Sequence, residues 1–312
     1  MNRIIHYLKM CLLIPRNIFA IAGTLNDMRE NLTRIITLTE ILLDRETAYQ
    51  TRLVKLELLR HLDEKKQQLP PNRPEHHAYK VFSQNLEDGI IAEIFRRIGT
   101  TEKTFVEFGV GDGRENNTLW LLCQGWKGLW IEGSSEFVKK ISDREKYFIE
   151  TGRLFCKNAF ITKDNINELI QEHLQGEVDL LSIDIDGNDY DVLDAIHIVT
   201  PRVIVAEING KYPPPFAWHM PYDPDYVWDG SDGSGMSFQA VFDWAQAHNY
   251  RVIASDLSGV NVFLLREDIF ENNREKFDYP MSAEALYNAP LYDMFMFLEN
   301  CHPNKSLKHF QN

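Results

Sequence analysis

The chain of 312 residues is 44% hydrophobic and 12% aromatic, enough apolar material for a sizeable core, which excludes a disordered chain. Its 33 Lys and Arg against 46 Asp and Glu leave a net charge of −13, and that balance argues for no nucleic-acid partner, because phosphates demand clustered cations. The charge is uneven: residues 1–80 carry about +4 and the remainder about −17.

In chain order, the first feature is an apolar run from Ile4 to Leu25, broken by His6, Lys9, Pro15, Arg16 and Asn17. It falls short of the ~20 uninterrupted apolar residues of a membrane span, and Pro15 and Arg16 also spoil a secretory signal. With Arg3, Lys9 and Arg16 and no acid, residues 1–25 suit either a peripheral membrane contact or packing on protein. Residues 27–64 read as helix. Leu32, Ile35, Ile36, Leu42, Leu43, Leu53, Leu56, Leu59 and Leu62 recur at spacings of three and four, with neither Pro nor Gly from Thr24 to Leu69. The heptad is imperfect, because Thr39 and Glu46 fall on the seam begun by Leu25 and Leu32. Residues 1–65 are therefore a helical extension with two readings: a coiled coil or docking module forming a homo-oligomer through residues 27–64, or a helix packed on the main domain. Gln67 to Pro74 is polar and proline-rich, so residues 66–79 are expected to be a linker.

From residue 80 strands and helices alternate. Ser83 is placed to cap a helix running to about Arg97. Strands are expected at Thr104–Val110, Gly128–Gly133, Arg153–Asn158, Val178–Asp184 and Arg202–Ile208, with helical stretches between them. These strands are near-continuous apolar runs, as in a parallel sheet covered on both faces. A long loop (209–235), a helix (237–248) and two strands joined at Ser258-Gly259 complete a doubly wound α/β sheet. Residues 269–312 read as a tail packing on the domain. Cys11, Cys123, Cys156 and Cys301 lie far apart without a CxxC pair, which points to a reducing, cytoplasmic setting rather than a disulfide framework. Cys123 and Cys156 read as core packing.

Ligands of such sheets bind beyond the carboxyl ends of the strands. The first turn there is Glu107-Phe108-Gly109-Val110-Gly111-Asp112-Gly113. Its GxGxG spacing departs from the GxGxxG of dinucleotide folds, and Glu107 would repel a pyrophosphate but attract an ammonium. Together these favour S-adenosylmethionine, whose methionine part is an ammonium and whose sulfur is a cation. Glu132 ends the second strand, where a carboxylate accepts ribose hydroxyls. Asn158 ends the third, where a side-chain amide can read an adenine edge. The fourth ends in Asp184-Ile185-Asp186-Gly187-Asn188-Asp189, and alternation puts Asp184 and Asp186 on one side. Glu207 ends the fifth. Three readings stay open for these acids: a general base beside the sulfonium, a Mg²⁺ site of Asp184, Asp186 and Glu207, or helix capping, which suits Asp189 best.

Ser83–Asp88, Phe105–Gly113, Gly125–Gly133, Leu181–Tyr190 and Val260–Phe263 together resemble the FkbM-type, class I S-adenosylmethionine-dependent methyltransferases over residues 80–268. The resemblance implies a Rossmann-like, seven-stranded sheet in the order 3-2-1-4-5-7-6 with the last strand antiparallel. It implies cofactor contacts at Gln84, Glu107, Gly109, Gly111, Gly113, Glu132, Asn158, Ala159 and Asp184. It also implies O-methylation of a sugar, glycan or related small molecule. Two positions depart from the family pattern: Ser182 stands where many relatives carry Lys, and Asp186 where they carry Glu. The 209–235 loop interleaves Tyr212, Phe216, Trp218, Tyr222, Tyr226 and Trp228 with Asp223, Asp225, Asp229 and Asp232, a composition suited to a lid that contacts a sugar. Catalytic expectations fall on Asp184, Asp186 and, as a second base, His219. The rivals are a dinucleotide-dependent sugar oxidoreductase and a non-catalytic partner in a glycan-assembly complex.

Overall fold

A computed structural model of the chain describes residues 2–278 and 282–291, with side chains from Asn31 onward except that of Lys55. The chain divides into two compact units, one ending at Leu59 and the other beginning at Arg60. Helix α1 (Asn2–Gln68) makes up the first unit and its last turns enter the second. Between Asn31 and Leu59 most of its large apolar side chains are exposed, Leu42 at 64% and Leu56 at 63%, while Leu58 is buried. The membrane contact expected of residues 1–25 falls on side chains outside those described. No helix among the described residues is long and apolar enough to cross a membrane.

The second unit alternates α2 (Glu87–Ile98), β1 (Thr104–Phe108), α3 (Leu119–Cys123), β2 (Lys127–Glu132), α4 (Ser135–Arg144), α5 (Lys146–Glu150) and β3 (Leu154–Asn158). It continues with α6 (Ile166–Gln171), β4 (Gly176–Ile183), α7 (Asp189–Ala195), β5 (Val199–Glu207), α8 (Phe238–Ala247), β6 (Tyr250–Ser255), β7 (Asn261–Arg266), α9 (Glu267–Glu271) and α10 (Ala283–Leu286). The strands form one seven-stranded sheet, β3-β2-β1-β4-β5-β7-β6. β1 to β5 run parallel, and β7 is antiparallel to both its neighbours. The order is the one expected.

Continuous apolar strands are explained by two covered faces. On one face Val106, Phe108, Ile131, Leu181, Ile183 and Ile204 pack with Ile166 and Ile170 of α6, Val192 of α7 and Phe238 and Val241 of α8. Residues of opposite parity, Phe105, Leu180, Val203, Val205, Phe263 and Leu265, are at most 1% exposed as well. That second face carries the polar row that matters for the site. Glu107 is in register with Ser182, Ser182 with Val205, and Glu207 with Asn261.

Several expectations are corrected. Residues 66–79 do not run as a solvated linker: Arg73 and Glu75 are buried and paired, Glu75 also accepts from Ser255 N, and Pro74–His77 form a 3-10 turn. Two buried opposite charges that satisfy each other outweigh the linker-like composition. Helix α2 starts at Glu87, not at Ser83. Asp88 Oδ2 gathers the amides of Val81, Phe82 and Ser83 at 2.6–2.8 Å, while Asp88 N donates to Ser83 Oγ. This carboxylate holds residues 81–83 in a bend that continuing the helix would undo. Cys123, expected in the core, is exposed at the end of α3, and Cys156 is half-buried. Of the expected tail, residues 282–291 pack through Ser255 Oγ to Leu286 O and Tyr287 OH to Gly210 O; residues 279–281 and 292–312 lie outside those described.

Candidate active site

The turn after β1 is shaped by two glycines for different reasons. Gly109 has φ +68°, and a Cβ there would lie 1.6 Å from the Asp184 carbonyl, so β1 and β4 come together at their ends only because it has no side chain. Gly111 has φ +55°, yet a Cβ there would meet nothing within 4 Å. Its amide donates to Glu132 Oε2 at 2.8 Å, while Ser134 N donates to Oε1 at 2.8 Å. The turn thus leaves an open face of bare backbone beside Glu132. Burial raises the proton affinity of this carboxyl, against the three backbone amides it accepts from. Asn158 spends its amide on the carbonyls of Glu132 and Gly133, at 2.8 and 3.0 Å, and Ala159 N donates to Glu132 O. Asn158 therefore braces the end of β2.

Glu107 is placed differently from expectation. It is 3% exposed, and its two oxygens accept from Asn117 N, Thr118 N and Thr118 Oγ1; Trp130 Nε1 in turn donates to Thr118 Oγ1 at 2.7 Å. Burial pushes its pKa up to about 7. An acid enclosed in this way fixes the loop that leads into α3 and presents no surface to an ammonium group. Gln84 is exposed in the bend before α2, its carbonyl accepting from Lys80 Nζ.

Asp184, Asp186 and Glu207 come together: one carboxylate oxygen from each lies within 4.8 Å of the others. Asp184 and Glu207 do so by register, one step beyond the last β4–β5 pair, Ile183–Ala206. Asp186 arrives by another route. β4 ends at Ile183, and Asp186 sits in the turn with φ +56°, a conformation that aspartate tolerates better than most residues. Asp189 locks that turn, accepting from Ile185 N at 2.8 Å and Gly187 N at 2.9 Å. It is fully buried, and burial pushes it up to about 6. Burial and then the charges of Asp186 and Asp189 raise Asp184 well above the ordinary carboxylate range, and burial and then the charges of Asp184, Asp186 and Asp189 raise Glu207 likewise. The two carboxyls lie in hydrogen-bonding contact and share a proton. Opposite Glu207, Asn261 donates through Nδ2 to Glu87 Oε1 at 2.9 Å, extending the polar row to the start of α2.

Beside these acids a cleft of about 400 Å³, open to solvent, is lined by Asp186, Glu207, Asn209, Lys211, Trp228, Ser231, Asp232 and Ser234. Lys211 is ion-paired with Asp232. The loop that builds this wall is tied down at both ends. Asn209 Nδ2 donates to Asp232 O at 2.8 Å, and Asn188 exchanges two hydrogen bonds with the backbone of Asp223. Most of its aromatic rings serve packing: Tyr212 packs against Phe216 and Trp218, Tyr222 lies under Lys163, and Tyr226 covers Gly187. Trp228 alone among them lines the cleft, its indole nitrogen donating to Ser231 O. His219 stands outside that lining. Its ring stacks on Tyr190 at 3.9 Å, and Nδ1 lies 3.1 Å from Met220 O and 3.7 Å from Asp191 Oδ2. A ring held in this stack is a packing element of α7. Lys211, Ser231 and Ser234 were missed from sequence; only their position in an overlong loop after β5 signalled them.

The profile of the methyltransferase FkbM domain matches residues 96–252, half of the chain. No curated protein matches it. Among solved structures, the chain is similar to TrmK of M. capricolum in complex with S-adenosyl-homocysteine, at 10% identity over 56% of this chain and 67% of that one, with a TM-score of 0.36. It is similar to a methyltransferase from Geobacter sulfurreducens, at 13% identity over 55% and 74%, TM-score 0.37. The O-methyltransferase from Bacillus cereus, in complex with S-adenosyl-homocysteine, gives 15% identity over 68% and 89%, TM-score 0.41.

Proposed function

The chain belongs to the FkbM methyltransferase family, and from that premise we propose that it methylates a hydroxyl of a sugar, glycan or related small molecule, with S-adenosylmethionine as methyl donor. The observation that carries this reading is the convergence of Asp184, Asp186 and Glu207 between the open face of the glycine turn and a polar cleft. The residues suit the donor. Gly111 offers backbone with no side chain in the way, and Glu132 stands beside it as an acceptor for ribose hydroxyls. The donor brings its own activated carbon, so the protein's part is alignment and proton removal. Bound there, the donor would supply its methyl carbon to an acceptor oxygen and leave as the neutral thioether, and Asp184 would take the hydroxyl proton. This carboxylate is a better base than an ordinary aspartate because burial and its acidic neighbours raise its proton affinity. The acceptor reading is supported by Trp228 as an apolar wall and by Asn209, Ser231 and Asp232 as hydrogen-bonding groups around it.

The test is turnover and binding together. Calorimetry with S-adenosylhomocysteine and a methyl-transfer assay over candidate sugars and glycans should show that Asp184→Asn lowers kcat about 10²- to 10⁴-fold. Its affinity for S-adenosylhomocysteine should stay within a few fold of the wild type. A wild-type protein that ignores S-adenosylhomocysteine and binds NADH would overturn the reading. A second reading rests on the same triad: Asp184, Asp186 and Glu207 also fit a hard divalent cation such as Mg²⁺, which takes oxygen ligands. Bound there, it would supply Lewis-acid polarisation of the acceptor hydroxyl. Turnover abolished by EDTA and restored by Mg²⁺ distinguishes this version; indifference to chelator eliminates it.

A further inference from the structure

Leu32 to Leu59 of α1 present a seven-residue repeat whose apolar stripe is exposed among the described residues. Written as a heptad with Leu32 at the first position, Ile35, Leu42, Tyr49 and Leu56 fill the fourth position without a break, and all four are 57–64% exposed. Leu32 and Leu53 fill the first position at the two ends of the segment, with Thr39 and Glu46 between them. These 28 residues make four heptads and a helix about 42 Å long. A helix with an unburied apolar stripe of this length draws its stability from whatever packs on that stripe.

The charges flanking the seam select the occupant. Arg45 and Arg52 fall at the seventh position and Glu57 at the fifth. In a parallel pair the seventh position of one helix faces the fifth position of the next heptad on the other, so Arg52 meets Glu57 of a second copy, twice by symmetry. An antiparallel pair instead sets seventh positions against each other and brings arginines together. Glu46 inside the seam faces Glu46 of the second copy, a repulsion that weakens the pair and that Arg45 of the second copy, beside it, offsets. We propose that α1 is a self-association element: it zips with α1 of a second copy of this chain in a parallel, in-register coiled coil through Ile35, Leu42, Tyr49 and Leu56.

The experiment is sedimentation of the full-length chain at about 10 µM, since oligomer mass depends on concentration. Wild type should sediment as a multiple of 36.4 kDa, and Leu42→Asp with Leu56→Asp as the single 36.4 kDa chain. S-adenosylhomocysteine binding by the double variant should match the wild type, which separates loss of association from loss of fold. Arg52→Glu should weaken the multimer, and adding Glu57→Arg should restore it; restoration is the mark of the parallel arrangement. A monomeric wild type overturns the proposal, and so does a double variant that sediments like the wild type. A monomer that instead binds anionic vesicles through this stripe also overturns it, by naming lipid as the cover.

Discussion

Gly109 and Gly111 lie two residues apart in one turn, both with positive φ, yet alanine should injure them in different ways. At either position alanine adopts a left-handed conformation at a cost of about 1–2 kcal/mol. At Gly109 its Cβ would also lie 1.6 Å from the Asp184 carbonyl, so β1 and β4 must separate, adding about 1–3 kcal/mol of overpacking. Gly109→Ala should therefore lose about 2–5 kcal/mol of stability, read by denaturant unfolding without ligand. At Gly111 the new methyl meets nothing within 4 Å, so unfolding should register only the conformational cost. Its methyl instead occupies the open face of the turn. If that face is the cofactor's seat, the same 1–3 kcal/mol clash appears in binding, and S-adenosylhomocysteine affinity falls roughly 5- to 150-fold. Calorimetry on the folded Gly111→Ala protein decides. Affinity within twofold of wild type would refute the cradle, and equal stability losses in the two variants would refute the distinction between them.

Other outcomes follow from the buried acids and the cleft. Burial pushes Glu107 up to about 7 in the fold against an ordinary 4.5, and Asp189 and Asp256 (buried just after β6, accepting from Val260 N and Asn261 N) up to about 6 against 3.8, so the folded chain binds these protons more tightly than the unfolded one. Their stabilisation is complete below about pH 4 and is lost as pH rises through 6 and 7; Glu107 alone accounts for about 3 kcal/mol. Thermal unfolding of the ligand-free protein should fall in midpoint from pH 5 to pH 8, and Glu107→Gln should flatten that slope. Glu207→Gln, which keeps a hydrogen bond to Asp184 but carries no exchangeable acid, should lower kcat by at least about tenfold with little change in S-adenosylhomocysteine affinity, measured by single turnover and calorimetry. Trp228→Ala removes the cleft's aromatic wall and should raise the acceptor's KM about two- to tenfold, leaving cofactor affinity intact. His219→Ala should leave kcat unchanged, because its ring stacks on Tyr190 away from the cleft lining.

What was legible in the sequence was whatever burial on both faces writes locally. β1 and β4 are near-continuous apolar runs because both parities are covered, and Glu132, Asp184 and Glu207 stand out because each ends such a run. The contacts that decide what those acids do were not legible, because they join residues that share no local pattern. Glu107 looked like a ligand for an ammonium, but its partners Asn117 and Thr118 are brought under it by the fold of the loop into α3. Arg73 and Glu75 looked like linker residues until each found the other in a dry environment. His219 looked like a base because nothing in its neighbourhood predicts a stack on Tyr190, 29 positions earlier. Asp186 was expected beside Asp184 by strand alternation; it arrives there through a left-handed turn that Asp189 clamps. That difference has a consequence for the chemistry. Asp184 directly follows β4 and Glu207 ends its neighbour β5, so strand register sets their separation, whereas Asp186 sits on a turn whose geometry depends on two amides bonded to a fully buried carboxylate. Asp189→Asn removes one of those acceptors, and with it a charge that helps raise Asp184 and Glu207, while leaving all three triad side chains in the chain. It should loosen Asp186 while leaving the Asp184–Glu207 pair in place, so kcat should fall with the shared proton still present in the carboxyl region of an isotope-edited infrared spectrum. Loss of that shared proton signal in Asp189→Asn would mean that the turn, and not strand register, holds the pair together.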